Sequence, residues 1–246
     1  MNVRNNPGPW QVVVAAIVQA VSAATIFVAY SIIAVPLAEE FAPSRMVLML
    51  GMTATALASG VLSPFLGKAI DRYSMRSLML LGASCLVIGL LLLSLASSML
   101  QVIAIYAIFF SVTAVLLGPM AASALIVRWF THRRGLMIGI AGSGTAIGGL
   151  IIPPLLQGMI DEFGWRMALQ MFSGIVFILT VPVIGCILID QPEDKRSSSS
   201  DAVDNVNAVP EAKGQPLILS TAVLFQQRNF WLIAVTLCMI FAGATA

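Results

Sequence analysis

Long apolar stretches without a charged residue alternate along this chain with short charged segments. A helix needs about 20 apolar residues to cross the hydrocarbon core of a bilayer, which is roughly 30 Å thick. The longest uncharged stretch, residues 77–127, is long enough for two crossings, and small and polar residues near 97–101 suit a turn between them. The pattern predicts six membrane-spanning helices and the start of a seventh at Asn229. The six cover residues 11–37, 46–67, 77–97, 101–127, 135–159 and 167–189.

The composition supports an all-α integral membrane protein. Hydrophobic residues make up 59% of the 246 residues and charged residues only 10%, whereas a soluble domain carries about 25% charged residues. The apolar stretches are continuous and do not alternate with polar residues, which favours helices over a membrane β-barrel. The first stretch is too long for the apolar core of a cleaved signal peptide, and further spans follow it.

Lysine and arginine are distributed unevenly between the two sides of the membrane that these spans imply. Eleven of the 13 lie on the side of the amino terminus, and only Arg45 and Arg166 lie on the other side. Because basic loops face the cytoplasm, we expect a cytoplasmic amino terminus and a location in the plasma or inner membrane. The basic residues are topology signals, so we expect a lipid bilayer and no nucleic acid as a partner.

A polar segment, residues 190–228, follows the sixth predicted span. It contains four consecutive serines and no apolar period, which is typical of a flexible linker. The chain is therefore predicted to consist of a six-span bundle (1–189), a cytoplasmic central linker (190–228) and the start of a seventh span (229–246).

The six-span block contains an internal repeat. Residues 60–76 have the order Gly-x3-Pro followed by Ile-Asp-x-aromatic-small-x-Arg, and residues 149–166 repeat that order. The first copy ends on the predicted cytoplasmic side and the second on the opposite side. Three spans thus recur in inverted orientation, as in the major facilitator architecture.

Residues 67–76, Gly-Lys-Ala-Ile-Asp-Arg-Tyr-Ser-Met-Arg, resemble the loop signature G-x-x-x-D-R-x-G-x-R-R/K of the major facilitator superfamily. Ser74 stands where the family prefers glycine, and Ser77 where it prefers a basic residue. The resemblance implies a six-helix amino-terminal bundle of two inverted three-helix repeats, a partial seventh helix, and secondary transport by alternating access. It implies a conformational role for a loop motif that consists of Gly67, Asp71, Arg72 and Arg76, in which Asp71 interacts with its basic neighbours.

A second stretch is similar to the monocarboxylate transporter-like branch, which includes relatives of the oxalate/formate antiporter. It runs from Arg128-Trp129-Phe130 through a glycine-rich span to Gly164-Trp165-Arg166. The similarity implies a small organic anion as the solute, a monocarboxylate or dicarboxylate, with a coupling proton or a counter-anion. Residues 6–10 keep only part of the acidic-Gly-aromatic opening of that branch. Carriers for drugs or sugars share the architecture, so the substrate class stays open.

Polar residues inside the predicted spans are candidates for a substrate path. Gln19, Ser22 and Tyr30 share one face of the first span, and Tyr106 and Thr113 lie two turns apart on the fourth. The resemblance places both spans against a central cavity. The alternative is that these groups form hydrogen bonds with neighbouring helices, because an unpaired polar group in lipid is costly. No charged residue lies inside the six spans, so an ionisable group that binds an anion or a proton would come from elsewhere.

The fifth predicted span is rich in glycine. Small residues that recur every four positions let another helix approach closely. The glycines are not followed by Lys-Ser/Thr and lie in an apolar span, so they do not form a phosphate loop. The predicted helix-packing positions are Gly135, Gly139, Ser143, Gly144 and Gly148.

The sequence contains no recognisable set of catalytic residues and no metal-ligand cluster, so we expect no enzyme activity, cofactor or metal. A second interpretation is a non-transporting six-span assembly or sensor subunit. The last uncharged stretch ends at Ala246 without an anchoring flank. We therefore expect the chain to be an inactive fragment that needs a carboxyl-terminal half or another copy.

The orientation can be tested by cysteine labelling in intact cells. We predict that cysteines substituted for Ser74 and Ser198 do not react with a membrane-impermeant thiol reagent, because both positions are expected in the cytoplasm. Strong labelling of either position would contradict the orientation.

Overall fold

The computed structural model of the chain describes residues 7–130 and 132–188. These residues contain six helices that are long and apolar enough to cross a membrane. They are α1 (Gly8–Phe41), α2 (Arg45–Arg72), α3 (Met75–Ser94), α4 (Met99–Trp129), α5 (Arg134–Phe163) and α6 (Trp165–Ile187). Each of the six predicted spans falls on one of these helices, so the all-α membrane fold is confirmed. The predicted linker and seventh span lie outside the described residues.

Serine residues begin three of the helices. The hydroxyls of Ser44, Ser74 and Ser98 each accept a hydrogen bond from the backbone N–H three residues further on, which satisfies one of the N–H groups that a helix start leaves unpaired. Ser74 has φ −60°, so the turn does not require the glycine that the family prefers. Its counterpart in the repeat, Gly164, has φ 76°, a conformation that favours glycine.

Two of the helices are irregular. α1 contains the π-helical turn Ala24–Val28, and α4 contains the π-helical turn Tyr106–Phe110. α4 is interrupted again after Leu116 and resumes at Pro119. Proline has no backbone N–H, so it cannot donate a helical hydrogen bond to the preceding turn. π-helical turns are rare and often lie at functional sites. Both occur on the helices for which the sequence predicts a substrate path.

The helices pair in a pattern that is symmetric between the two halves of the bundle. α1 packs most extensively along α5, α2 along α4, and α3 along α6. If α1 is exchanged with α4, α2 with α5 and α3 with α6, the same three pairs result. The packing therefore has the symmetry expected of two inverted three-helix repeats.

Charged residues of the described chain lie at the two ends of the bundle, between which successive helices run in opposite directions. α1, α3 and α5 begin at one end, and α2, α4 and α6 begin at the other. We call the first the basic end; it holds Lys68, Asp71, Arg72, Arg76, Arg128, Arg133 and Arg134. We call the second the acidic end; it holds Glu39, Glu40, Arg45, Asp161, Glu162 and Arg166.

The contact between α1 and α5 brings two backbones together. A Cβ atom added to Gly144 would overlap the carbonyl oxygen of Ala16, and one added to Gly148 would overlap that of Ala20. Only glycine at these two positions allows α5 to lie this close to α1, as in small-residue helix contacts generally.

The other predicted packing positions lie on the exposed side of α5 in the described bundle, and their packing role stays a prediction. A Cβ atom at Gly135 or Gly139 would meet nothing within 4 Å, and Gly135, Gly139 and Ser143 are all exposed. The physical reason is rotation about the helix axis. Gly144 and Gly148 face α1, and the row of small residues that precedes them points away from it.

The difference between the two glycine rows predicts a stability difference. Gly144→Ala should lower the free energy of unfolding by about 1–3 kcal/mol, because the methyl group forces α1 and α5 apart. The matched control on the same helix, Gly139→Ala, should leave it unchanged or raise it by up to about 1 kcal/mol, since alanine favours helix. Both are measured by thermal unfolding in detergent, and equal midpoints for the two variants would contradict the packing.

Candidate functional site

Among the described helices, α4, α5 and α6 cover α1 on all but one side. We define the open stripe of α1 as Val13, Phe27, Ser31 and Val35, all of which are exposed. Phe27 is 55% exposed and Val35 is 61% exposed. Apart from the hydroxyl of Ser31, this surface is apolar.

The predicted path residues lie on the covered sides of their helices. Gln19, Ser22 and Tyr30 on α1 are buried, as are Tyr106 and Thr113 on α4. The sequence places the three α1 residues on one face, and all three are buried in the structure. That face is turned toward the neighbouring helices and away from the open stripe.

Two tyrosines on different helices meet inside the bundle. The ring of Tyr30 packs edge-on against that of Tyr106, with 4.7 Å between the centroids, and Tyr106 stacks on Phe110 at 4.3 Å. The Tyr30 hydroxyl donates a hydrogen bond to the carbonyl of Leu48 on α2. A side chain on Gly51 would collide with that hydroxyl. Tyr30 therefore joins α1, α2 and α4 at one point.

Ser22 and Thr113 form hydrogen bonds between helices. The Ser22 hydroxyl donates to the carbonyl oxygen of Leu117, 3.3 Å away, where α4 is interrupted and the carbonyl has lost its helical partner. The Thr113 hydroxyl lies 3.2 Å from the carbonyl oxygen of Gly82 on α3 and 2.9 Å from that of Phe109. These contacts match the alternative of interhelical bonding.

Two buried polar residues were missed by the sequence reasoning. Gln11 and Thr25 are fully buried, and neither Gln11 Oε1 nor the Thr25 hydroxyl has a hydrogen-bond partner among the described residues. Thr25 lies within the π-helical turn of α1. Its position three residues after Ser22 was a signal that could have identified it as part of the same polar face.

At the basic end the loop motif has an arrangement that differs from the prediction. Asp71 and Arg72 are exposed, and Asp71 forms no ion pair with another described residue. Arg76 instead donates to the carbonyl of Gly185 on α6, and Arg128 donates to the carbonyl of Ile70. Gly67 lies near Met120, 3.7 Å from where its Cβ would be. The expected pairing of Asp71 with Arg72 and Arg76 is absent among the described residues, and Arg76 bonds a carbonyl group at a helix end.

Among the described residues, no group of three or more histidine, cysteine or acidic side chains is placed to hold a metal ion. The charged side chains of the same part of the chain lie at the ends of the helices. The surface of the bundle at membrane depth is thus built from apolar side chains, hydroxyl groups and glycine.

The description "Major Facilitator Superfamily" belongs to a family model that matches residues 15–246. A fujikurins efflux protein from Gibberella fujikuroi is 34% identical over 135 residues, which is 54% of this chain and 28% of that protein. Riboflavin transporter RibJ from Trypanosoma brucei brucei is 33% identical over 160 residues, or 64% of this chain and 28% of that protein. Human monocarboxylate transporter 12 is 39% identical over 67 residues, or 27% and 13%. The chain spans less than a third of the length of each relative.

The aromatic contact predicts a difference between its two tyrosines. Tyr30→Phe should lower the free energy of unfolding by about 0.5–1.5 kcal/mol, because it removes the hydrogen bond to Leu48 and leaves the ring contacts in place. Tyr106→Phe is the control, since the Tyr106 hydroxyl makes no hydrogen bond to a described residue. Thermal unfolding in detergent measures both, and an equal or larger loss for Tyr106→Phe would disprove the assignment.

Proposed function

This chain belongs to the major facilitator superfamily, and we propose that it carries a small solute across a membrane by alternating access. The observation that carries the proposal is the symmetric pairing of α1 with α5, α2 with α4 and α3 with α6. In transporters built from inverted repeats, the solute binds near the middle of the membrane between repeats. Alternating access then arises when one repeat or bundle rocks against the other around that site. The match to this family and the transporters among the relatives support transport over enzyme activity.

The solute path needs a second wall opposite this bundle. The open stripe of α1 and the exposed side of α5 offer a surface that no described helix covers. A second six-helix unit, either a carboxyl-terminal half or another copy of the chain, would supply the wall. The exposed row of Gly135, Gly139 and Ser143 would let a helix of that unit approach closely.

The orientation we propose places the basic end in the cytoplasm, in a plasma or inner membrane. Lys68, Arg72, Arg128, Arg133 and Arg134 lie at this end of the described chain, whereas the acidic end carries only Arg45 and Arg166. This asymmetry has the sign that the positive-inside rule requires.

A small organic anion, a monocarboxylate or a dicarboxylate, is the solute class we favour. The support is the similarity to the monocarboxylate transporter-like branch and the match to monocarboxylate transporter 12. The bundle offers the anion hydroxyl groups and no charge at membrane depth. The positive charge that binds the anion, and any group that couples a proton or counter-anion, would therefore be supplied by the second wall.

Export of a larger apolar compound is the second candidate. The open stripe is apolar except for Ser31, and an apolar groove of about 590 Å³ runs between α2 and α4. Ala54, Leu57, Val61 and Ile108 are among its lining residues. A surface of this kind suits an apolar solute better than a carboxylate, and efflux proteins occur among the relatives.

Flux in cells that express the complete gene tests the transport function. We expect saturable uptake or export of one solute class from a panel of monocarboxylates, dicarboxylates and apolar aromatic compounds. Asp71→Asn should reduce flux roughly 5- to 150-fold at an equal amount of folded protein, because we propose that this exposed charge biases a conformational equilibrium. Asp161→Asn, at the corresponding position of the repeat, is the matched control.

Each outcome bears on a different part of the proposal. No flux above empty cells for any solute would favour the non-transporting assembly or sensor subunit. Normal flux in Asp71→Asn would leave Asp71 as a topology residue only.

A further inference from the structure

Helices α3 and α6 lie side by side, and an arginine near the start of each reaches the end of the other. Arg76, in the first turn of α3, donates to the carbonyl of Gly185 in the last turn of α6. Arg166, the second residue of α6, donates to the carbonyl oxygens of Ser94 at 3.0 Å and Ala96 at 2.8 Å, where α3 ends. Carbonyl groups at a helix end lack helical partners and favour a cation.

The two arginines are also counterparts in the sequence repeat, since each stands five residues after an aspartate, Asp71 or Asp161. The repeat therefore encodes a reciprocal pair of caps. Each cap fixes one end of the α3–α6 pair.

The cap at the acidic end has an additional connection to α1. Arg166 Nη2 lies 2.7 Å from Glu40 Oε1, and the Trp165 indole N–H donates to Glu40 Oε2 at 2.9 Å. The Arg166 guanidinium also lies over the Trp165 ring, 4.5 Å from its centroid. We name Glu40, Trp165 and Arg166 the acidic-end clamp.

The acidic-end clamp stabilises the bundle as a network of bonds, and its single ion pair would contribute little alone. A single exposed ion pair contributes little, and Glu40 and Arg166 are each 39% exposed. Here both carboxylate oxygens and both terminal guanidinium nitrogens have partners on three helices. Charge-assisted bonds that share donors and acceptors are stronger and more directional than isolated pairs.

The part of α1 that the clamp holds is separated from the rest of the helix by the π-helical turn Ala24–Val28. Beyond this turn lies the segment Ala29–Phe41, which contains Pro36. The hydroxyl of Thr25 in the turn has no partner among the described residues. A π-helical turn and a proline are both sites at which a helix bends. On the other side of the turn, Gln11 Nε2 ties α1 to the carbonyl oxygen of Ile187, at 3.0 Å.

We propose that the segment Ala29–Phe41 is a hinged arm that the acidic-end clamp holds against the α3–α6 pair, and that Glu40, Trp165 and Arg166 are positioning residues for alternating access. When the clamp opens, the arm moves about the π-helical turn and the Tyr30 contacts with α2 and α4 rearrange with it, while the amino-terminal part of α1 stays fixed to α5 and α6. Val35 and Ser31 of the open stripe lie on this arm. The role in access rests on the proposed transport function, whereas the hinge and its clamp are measurable without it.

The experiment uses the full chain in lipid nanodiscs, with Cys85, Cys186 and Cys238 replaced by serine. Spin labels are placed at Val35 on the arm and at Ile178 on α6, which is 72% exposed. A second pair, Val13 and Ile178, reports the part of α1 before the turn. Pulsed electron resonance gives the distance distribution of each pair.

We expect Glu40→Ala to raise the population of a second, longer Val35–Ile178 distance by roughly fivefold or more, with the Val13–Ile178 distance unchanged. Glu39→Ala is the matched control, because Glu39 makes no hydrogen bond or ion pair with a described residue. Glu40→Gln, which keeps one acceptor oxygen, should give an intermediate population.

The same distributions in Glu40→Ala and Glu39→Ala would overturn the proposal. A shift of both label pairs together would also overturn it, since the clamp would then stabilise the whole bundle and hold no separate arm. If Glu40→Ala does not accumulate, Trp165→Phe removes the indole hydrogen bond and keeps an aromatic ring beside Arg166. A second distance in that variant supports the clamp, and an unchanged distribution refutes it. Absence of flux in the unmodified protein, with the second distance present in Glu40→Ala, would count against the transport function and leave the clamp intact.

Discussion

The hydrocarbon core of the bilayer offers no water to a polar group, and the internal organisation of this bundle follows from that constraint. Ser22 and Thr113 donate to carbonyl oxygens of adjacent helices, and Tyr30 donates to the carbonyl of Leu48. Each bond joins two helices that apolar packing alone would leave free to slide. In lipid, apolar side chains gain little by leaving one apolar environment for another, so close packing and such hydrogen bonds determine which helices pair.

The same constraint explains why the charged residues act at the ends. Arg76 and Arg166 lie where the helices emerge, and there they meet the carbonyl groups that a helix end leaves unpaired. Because the two halves of the bundle are inverted copies, one device appears at both ends of the α3–α6 pair. Within the described residues, the device at the acidic end also includes an acid from α1, Glu40.

Some helices of the bundle are packed more closely than others. α5 is held against α1 by backbone contact at Gly144 and Gly148, whereas α2 leaves grooves of about 590 and 270 Å³ beside α4. α1 itself is fixed at its start and interrupted at Ala24–Val28. In the transport cycle that we propose, such a combination of closely packed helix contacts and interrupted helices allows part of the bundle to move while the rest stays packed.

The sequence alone determined the six spans of the described residues, their approximate bounds and the inverted repeat. These depend on local properties, because an uncharged stretch of bilayer length cannot remain in water and a repeated motif can be read directly from the sequence.

Tertiary structure decided what each helical face meets. Helical spacing placed Gln19, Ser22 and Tyr30 together, but a polar face in a membrane can meet either a cavity or a neighbouring helix, so only packing showed that this face is buried. Gly139 and Gly144 are both glycines in the same predicted span, so the sequence does not distinguish them. The rotation of α5 about its axis places Gly144, and not Gly139, against α1. Glu40 and Arg166 are 126 residues apart, and only the folded bundle brings them together, because their contact depends on where α1 ends relative to the start of α6.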